Sequence, residues 1–429
     1  MAEIDKPRTL PPTGRQETGD RIQNTGALPT ASPILLFLGG WVEWLLYSEG
    51  AECGAKEILL MHILITGGAG FIGSHTANAL MKKGHQVRIF DCLRPPVHKD
   101  GKPFNHPEGA EMVVGDVTDK AAMTAALSGI DAVIHLAAYQ DYLPDFSTFF
   151  QVNAVGTALL YEIMVEQELP IQKVVVASSQ AVYGEGAYQS ASGEVFFPDI
   201  RSLDVLEKGD WEIQGPDGKS GKSLVTHEGQ VNPQNQYAMS KYTQEMIALN
   251  LGRRYEIPSV AMRYSIVQGP GQSLYNAYSG ACRIFCLAMH FDHRPVVYED
   301  GMSLRDYVNI EDVVAANLTV LEQDAANYQA FNLGGGKAYT VLDFVQIVAK
   351  VYGKDLEPDM PGSFRFGDTR HIVSDISKLK KLGWVPKHTP EKSVRDYKAW
   401  LEDQENVADV LAYTQERMKS LNVVREVKG

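Results

Sequence analysis

Cysteine is scarce in this chain: four residues in 429, Cys53, Cys92, Cys282 and Cys286, with no Cys-x-x-Cys pair and no ligand-like histidine spacing. That excludes a disulfide framework and a metal site built on thiolates, and it suits a reducing compartment. Positive charge is also in short supply. With 40 Lys and Arg against 53 Asp and Glu, the formal charge is -13, which argues against nucleic acid as a partner and leaves any small anion to local arginines. Long hydrophobic runs are missing as well. The best of them, residues 33–47, is interrupted by Gly39, Gly40 and Glu43 and falls short of the ~20 apolar residues of a membrane span. No strongly basic segment precedes it and no clear small-residue cleavage site follows, so neither a secretory signal nor membrane contact is expected, and the chain is placed in the cytoplasm. No internal repeat is evident.

What is present begins at Met61. Residues 1–60 are rich in Pro, Thr, Gly and Asn and are expected to be a poorly ordered extension, or the product of a start placed upstream of the true one. From Met61 to Ser74 an apolar run of strand length meets a glycine-rich turn and then an amphipathic helix expected over 70–83. Gly67, Gly70 and Gly73 divide three tasks: a tight turn, backbone approach to a pyrophosphate, and close packing of helix on strand. The helix N-terminus offers its free N–H groups to the same anion. A second apolar run, 86–90, ends in Asp91, where a carboxylate accepts a ribose hydroxyl and repels a 2′-phosphate, so NAD is favoured over NADP although Arg94 lies close.

The alternation continues, with strands expected over 111–115, 132–136, 173–178 and 259–264 and helices over 121–127, 148–167 and 236–254. This predicts an α/β protein, a Rossmann doubly wound parallel sheet. After Ser265 the pattern changes to helices, over 279–290, 310–322, 341–351 and 374–382, joined by short extended connectors. The expected division is a dinucleotide-binding domain over 61–265, a smaller C-terminal α/β substrate-binding lobe over 266–403, and a helical tail over 404–429. Within the first, residues 185–230 form a long irregular insertion of the kind that is functional or mobile.

Tyr237 and Lys241 stand four apart in the helix expected over 236–254 and so share a face. An ammonium beside a phenol favours the phenolate and brings a pKa of about 10 toward a range useful for proton transfer. The strand ending in Ser178 and Ser179 could bring a hydroxyl to the same substrate oxygen.

Taken as an ordered set, Thr66-Gly-Gly-Ala-Gly-Phe-Ile-Gly73, Asp91, Gly115-Asp116, His135-Leu-Ala-Ala138, Asn153-Ala-Val-Gly-Thr157, Ser178-Ser-Gln-Ala-Val-Tyr-Gly184 and Tyr237-x-x-x-Lys241 resemble the extended short-chain dehydrogenase/reductases that act on nucleotide sugars. The resemblance spans about residues 61–403 and is greatest to the 4-epimerases of that superfamily. It implies a Tyr237 acid/base, a Lys241 that orients the nicotinamide ribose, and a Ser179 that holds the reacting hydroxyl. It further implies NAD contacts from Gly67, Gly70, Phe71, Ile72, Gly73, Asp91, Asp116, Val117, Leu136, Ala137, Ala138 and Asn153. Arg305 and Arg365 inherit contacts to the substrate diphosphate, for which a guanidinium fork is well shaped. Metal is not part of the pattern, and pairing through the helices over 148–167 and 236–254 implies a homodimer, with Leu159, Leu160, Ile163 and Met246 as its apolar supply. Two departures stand out: Ile266 replaces an asparagine that contacts substrate in many relatives, and the 185–230 insertion exceeds the usual length, as if to cap the sugar pocket or an oligomer edge.

The positions after Ser179 choose among reactions. Related 4,6-dehydratases carry an Asp-Glu pair there, decarboxylases a glutamate, and 3- or 5-epimerases a cysteine; here stand Gln180 and Ala181. Inverting C4 needs only one hydroxyl proton relay and one hydride acceptor. The expectation is therefore an NAD-dependent epimerase of a nucleotide-diphosphate sugar, working through a transient 4-keto sugar. The alternatives are a dehydratase or decarboxylase, a net dehydrogenase, and a non-catalytic NAD sensor or scaffold.

Overall fold

The computed structural model describes residues 60–98, 101–103, 106–276, 280–405 and 407–428. The extension expected over 1–60, apart from Leu60, lies outside the described residues.

Strand β1, His62–Thr66, is central because its side chains are apolar on both faces, as a doubly covered strand requires. Ile63 and Ile65 join one core with Ala77 and Leu80, while Leu64 joins another with Val133, Leu160 and Ile163, following the two-residue period of an extended chain. The remaining strands, β2 Gln86–Asp91, β3 Glu111–Val114, β4 Ala132–His135 and β5 Lys173–Ser179, pair in parallel with it or with one another. Ser259–Tyr264 extends the sheet beyond β5. The spatial order therefore runs outward in both directions from β1 and β4, and the crevice at the carboxyl ends of those two strands is where such sheets bind ligands.

A seventh strand, Gln329–Leu333, pairs in parallel with Ser259–Tyr264. The sequence pattern had only an extended connector here. Its five residues lie at the sheet edge and are half-buried at their start, so the hydrophobic signal of a central strand is missing. The helix before it, Ile310–Glu322, also packs against the first core through Val313, Val320 and Leu321. The expected helix over 148–167 is one helical run, Phe146–Glu166, carrying a π-turn at Gln151–Val155. Among the described residues it alone is long and apolar enough to cross a membrane, yet its Leu160, Tyr161, Ile163 and Met164 supply the packing under the sheet.

The second half contains strands as well as helices. Ile266–Gln268, Leu304–Asn309 and Ala338–Thr340 form a small sheet, and Phe364–Arg365 pairs antiparallel with Val424–Arg425 near the chain's end. The helix expected over 374–382 shrinks to Ser377–Lys380.

The 185–230 insertion is a built structure. Tyr188–Gln189 pairs antiparallel with Val195–Phe196 and Lys222–Ser223. Its charges are plugged into the second half. The fully buried Arg370 guanidinium donates to Glu299 at 3.0 Å, to Asp300 at 2.7 Å and to Glu212 of the insertion, while Arg201 of the insertion donates to Glu299 at 2.8 Å. A buried network of this kind is stable only while every member is paired.

Candidate active site

Gly67 opens the turn with φ of +66°, and a Cβ there would stand 2.7 Å from the Ala137 nitrogen. At Gly73 an added Cβ would meet the Gly67 carbonyl oxygen at 2.4 Å, so only glycine lets the helix Phe71–Lys82 lie this close to the turn. That helix starts at Gly70 with no side chain capping it, which leaves its first N–H groups open to an anion. The Asp91 carboxylate accepts from the Ala69 and Leu93 backbone N–H groups at 3.1 and 2.9 Å, which fixes it beside the turn. Arg94 pairs with Asp116 at 2.7 Å. The guanidinium that clouded the choice between NAD and NADP is thus already engaged by a carboxylate. Burial raises the Asp116 pKa, but the Thr118 N–H and hydroxyl, together with Arg94, outweigh it and hold this carboxyl below its usual value.

These residues open into one cavity of about 720 Å³, within the ~300–1,000 Å³ range of small-molecule sites. Gly67, Gly70, Phe71, Ile72, Gly73, Asp91, Asp116, Val117 and Leu136 to Ala138 line it. So do Ser179, Tyr237, Lys241, Arg305 and Arg365. Asn153 stands apart. It is fully buried behind the wall, donating to the Tyr139 carbonyl at 3.1 Å and the Ser240 hydroxyl at 2.9 Å and accepting from the Tyr139 N–H at 2.8 Å. Its side chain shapes the loop that follows β4. No residue of the insertion lines the cavity, so the insertion does not cap it.

At the centre, the Tyr237 phenol and the Ser179 hydroxyl are hydrogen-bonded, and the Ser179 oxygen also accepts from the Ala181 N–H at 3.1 Å. Burial raises the Tyr237 pKa to about 12, and the Ser179 bond offsets only part of this. The expectation that Lys241 lowers it is not met in this arrangement. Both residues do lie on the helix Gln236–Arg254, whose first turn is capped by Asn235 accepting from the Ala238 N–H at 2.8 Å. The Lys241 ammonium, however, donates to the Gln244 side-chain oxygen, and burial brings its own pKa down to about 7.

Gln244 belongs to a buried polar chain that the sequence motifs touch without revealing. Its amide nitrogen donates to Thr157 Oγ1 at 2.9 Å, and Thr157 donates to the Asn153 carbonyl at 2.7 Å. His135 Nε2 lies 3.0 Å from Thr157 Oγ1, and His135 Nδ1 lies 2.7 Å from Thr66 Oγ1. Since the Thr157 proton is already committed, His135 donates through Nε2 and accepts from Thr66 through Nδ1. Burial, then Lys241, lowers the His135 pKa to about 3, so it is neutral. The chain fixes where the lysine rests, from β1 through β4 to the helix Gln236–Arg254.

In the second half, Arg305 donates to the Leu304 and Arg370 carbonyls at 2.9 and 3.0 Å. Arg365 donates to the Tyr142 hydroxyl at 2.9 Å, pairs with Asp368 at 2.5 Å and lies over the Tyr298 ring. Both guanidinium groups border the cavity, and Ile266, Gln180 and Ala181 are also in its wall. The C-terminal helix Leu411–Ser420 contributes residues too, which no motif or spacing predicts.

Comparison with known proteins agrees with this geometry. Residues 63–199 and 212–334 match the NAD dependent epimerase/dehydratase family. A dTDP-L-rhamnose 4-epimerase from Burkholderia thailandensis is 35% identical over 346 residues, covering 79% of this chain and 94% of that protein. The UDP-glucose 4-epimerase of Thermotoga maritima, solved with UDP-glucose, superposes with a TM-score of 0.66 at 27% identity and covers 80% of this chain and 99% of that one. The UDP-glucose 4-epimerase of Thermus thermophilus, solved with NAD, gives a TM-score of 0.64 at 27% identity over 80% of this chain and all of that one, 100%.

Proposed function

The chain belongs to the NAD dependent epimerase/dehydratase family, and from that premise we propose that it inverts C4 of a nucleotide-diphosphate sugar through a transient 4-keto sugar. The observation that carries this reading is the Ser179–Tyr237 hydrogen bond at the wall of the cavity that the glycine turn opens, with Gln180 and Ala181 adding no further acid or base. The cradle fits NAD: Gly67 and Gly73 leave backbone room for a pyrophosphate and Asp91 presents a fixed carboxylate to a ribose. When bound, NAD supplies the acceptor and donor of the C4 hydride.

Tyr237 takes the 4-hydroxyl proton and later returns it, and Ser179 holds that hydroxyl in line. In its present environment burial keeps the Tyr237 phenol protonated at neutral pH, so it must first release its own proton to solvent before it can take the one from the 4-hydroxyl. A cation at hydrogen-bonding range is what converts it to a base, and Lys241 can supply it by leaving Gln244. Arg305 and Arg365 hold the diphosphate, which anchors the substrate while the freed keto sugar presents its other face. We assign residues 61–265 to NAD and 266–403 to the nucleotide sugar, with Ile310–Glu322 and Gln329–Leu333 returning to the first sheet. The described cysteines, Cys92, Cys282 and Cys286, are free thiols, which supports a reducing, cytoplasmic setting. A homodimer paired through Phe146–Glu166 and Gln236–Arg254 completes the reading.

The deciding experiment is proton NMR and mass spectrometry of products after incubation with a panel of nucleotide sugars. An epimer with no net NADH is expected, and Tyr237→Phe should lower turnover by about 10²–10⁴ while retaining NAD. A 4-keto-6-deoxy sugar or carbon dioxide from the wild-type protein would overturn the choice of reaction.

A further inference from the structure

The C-terminal helix Leu411–Ser420 turns one stripe inward. Leu411, Thr414, Gln415 and Met418 all line the cavity, at the three- and four-residue spacing of a single helix face, whereas Tyr413 and Glu416 face solvent. Leu411, Thr414 and Met418 are buried. The helix is fixed from several directions. It packs on the helix Ala281–His290, and its Leu411 joins a core with Phe285, Tyr397 and Leu401. Just before it, Asp409 pairs with His293 at 2.6 Å. After it, Val424–Arg425 pairs with Phe364–Arg365, bringing Val424 opposite Arg365 itself, and the Lys428 backbone N–H donates to the Glu207 carbonyl of the insertion at 2.8 Å.

These anchors belong to the substrate half or the insertion; Arg417 also faces Asp141 and Tyr139 of the first half, and none of the contacts reaches the glycine turn, Asp91 or Asp116. The inward stripe mixes apolar and polar groups. Thr414 donates its proton to the Val410 carbonyl at 2.8 Å, which leaves its oxygen free to accept. Gln415 carries an amide with two donors and an acceptor, faces the cavity, and makes no hydrogen bond to the described residues. An amide so placed is satisfied by solvent or by a ligand.

Resting on the reading of the cavity as a nucleotide-sugar site, we propose that the tail helix is its substrate-side wall and that Gln415 hydrogen-bonds the bound nucleotide sugar. The same tail sets the backbone of Arg365 through the short antiparallel pairing, so the arginine and the glutamine approach the ligand as one unit. Specificity for the nucleotide sugar is thereby written partly in the helix Leu411–Ser420, beyond the span of the recognisable motifs.

The test uses the full chain in a Tyr237→Phe background, which slows turnover, with UDP-glucose and dTDP-glucose as probes in calorimetric titrations and NAD titrated separately. Gln415→Ala is expected to weaken nucleotide-sugar binding about 5- to 30-fold, the loss of one or two hydrogen bonds to a ligand. Gln415→Trp, which fills the space, should weaken it further. Both should leave NAD affinity and melting temperature unchanged, as should Glu416→Ala on the outer face for every ligand. Unaltered affinity for the sugar probes in both Gln415 variants overturns the proposal, and so does an equal loss of NAD. Binding that depends on Gln415, in a protein whose wild-type form makes no epimer, would support the wall and sink the epimerase reading, so the two fail separately.

Discussion

Lys241 donates to the side chain of Gln244, three residues further along the same helix, while the Tyr237 phenol bonds the Ser179 hydroxyl. The lysine is thereby tied to a buried polar chain that runs through Thr157 and His135 and ends at Thr66.

This has a consequence for stability against pH. Burial brings Lys241 down to about 7 in the folded chain, against about 10.4 for the unfolded residue. Between those values the unfolded chain binds more protons, so the stability of the cofactor-free protein should rise as pH climbs from 7 toward 10, with the full penalty present below 7. Melting temperatures measured from pH 6 to 9 should climb more steeply in wild type than in Lys241→Met. Equal slopes in the two proteins would show that this lysine carries no such penalty.

Beside the glycine turn, Arg94 is paired with Asp116 while Asp91 is held by two backbone N–H groups. Removing the Asp116 carboxylate frees an exposed guanidinium for a 2′-phosphate without disturbing Asp91. Asp116→Ala should shift the ratio of NADP to NAD affinity toward NADP by about tenfold, and Asp91→Ala added to it should shift the ratio further. Fluorescence titration with both reduced cofactors measures it; a ratio unmoved by either change would mean that neither carboxylate senses the ribose.

The insertion gives a prediction about folding. Arg370 is fully buried and donates to carboxylates from two separate parts of the chain, Glu212 on one hand and Glu299 and Asp300 on the other. Arg370→Met would leave buried Glu299 with Arg201 and a long Ser303 hydroxyl contact at 3.5 Å for support. A destabilisation of about 3–5 kcal/mol is expected from chemical denaturation. A loss below about 1 kcal/mol would mean that water, and not the arginine, satisfies these carboxylates.

Much of this protein is local enough to be read from its sequence. The glycine turn, the first five strands and the helix Gln236–Arg254 depend on residues within a few positions of each other, so periodicity and spacing reach them. Gln329–Leu333 does not announce itself, because an edge strand with a half-buried start has neither a continuous apolar run nor clean alternation. The direction of the Tyr237 shift was also out of reach. Spacing puts the ammonium on the right helix face, but desolvation and the competing Gln244 acceptor depend on Thr157 and His135, which arrive from other elements. The tail's part in the cavity is likewise a matter of where a polar helix docks, and polar periodicity alone leaves docking open.

The homodimer is the last expectation to be put to the test. Leu160 and Ile163, two of the residues first offered for the interface, are fully buried in the core under the sheet and cannot serve it. The same helices instead expose Phe146 at 56%, Val155 at 48%, Met239 at 41% and Met246 at 40%. In a two-fold pairing each such residue meets the partner's copy of the same surface, so one charge introduced per chain is placed in the interface twice. A carboxylate buried there without a partner costs several kcal/mol per copy, enough to weaken association by more than about 100-fold. Sedimentation velocity at micromolar concentration should therefore give a dimer for wild type and a monomer for the double variant Val155→Glu, Met246→Glu. Far-UV circular dichroism should be unchanged, because neither residue belongs to the core. A wild-type protein that sediments only as a monomer would remove the pairing, whereas a dimer that survives both glutamates would move the interface to another face.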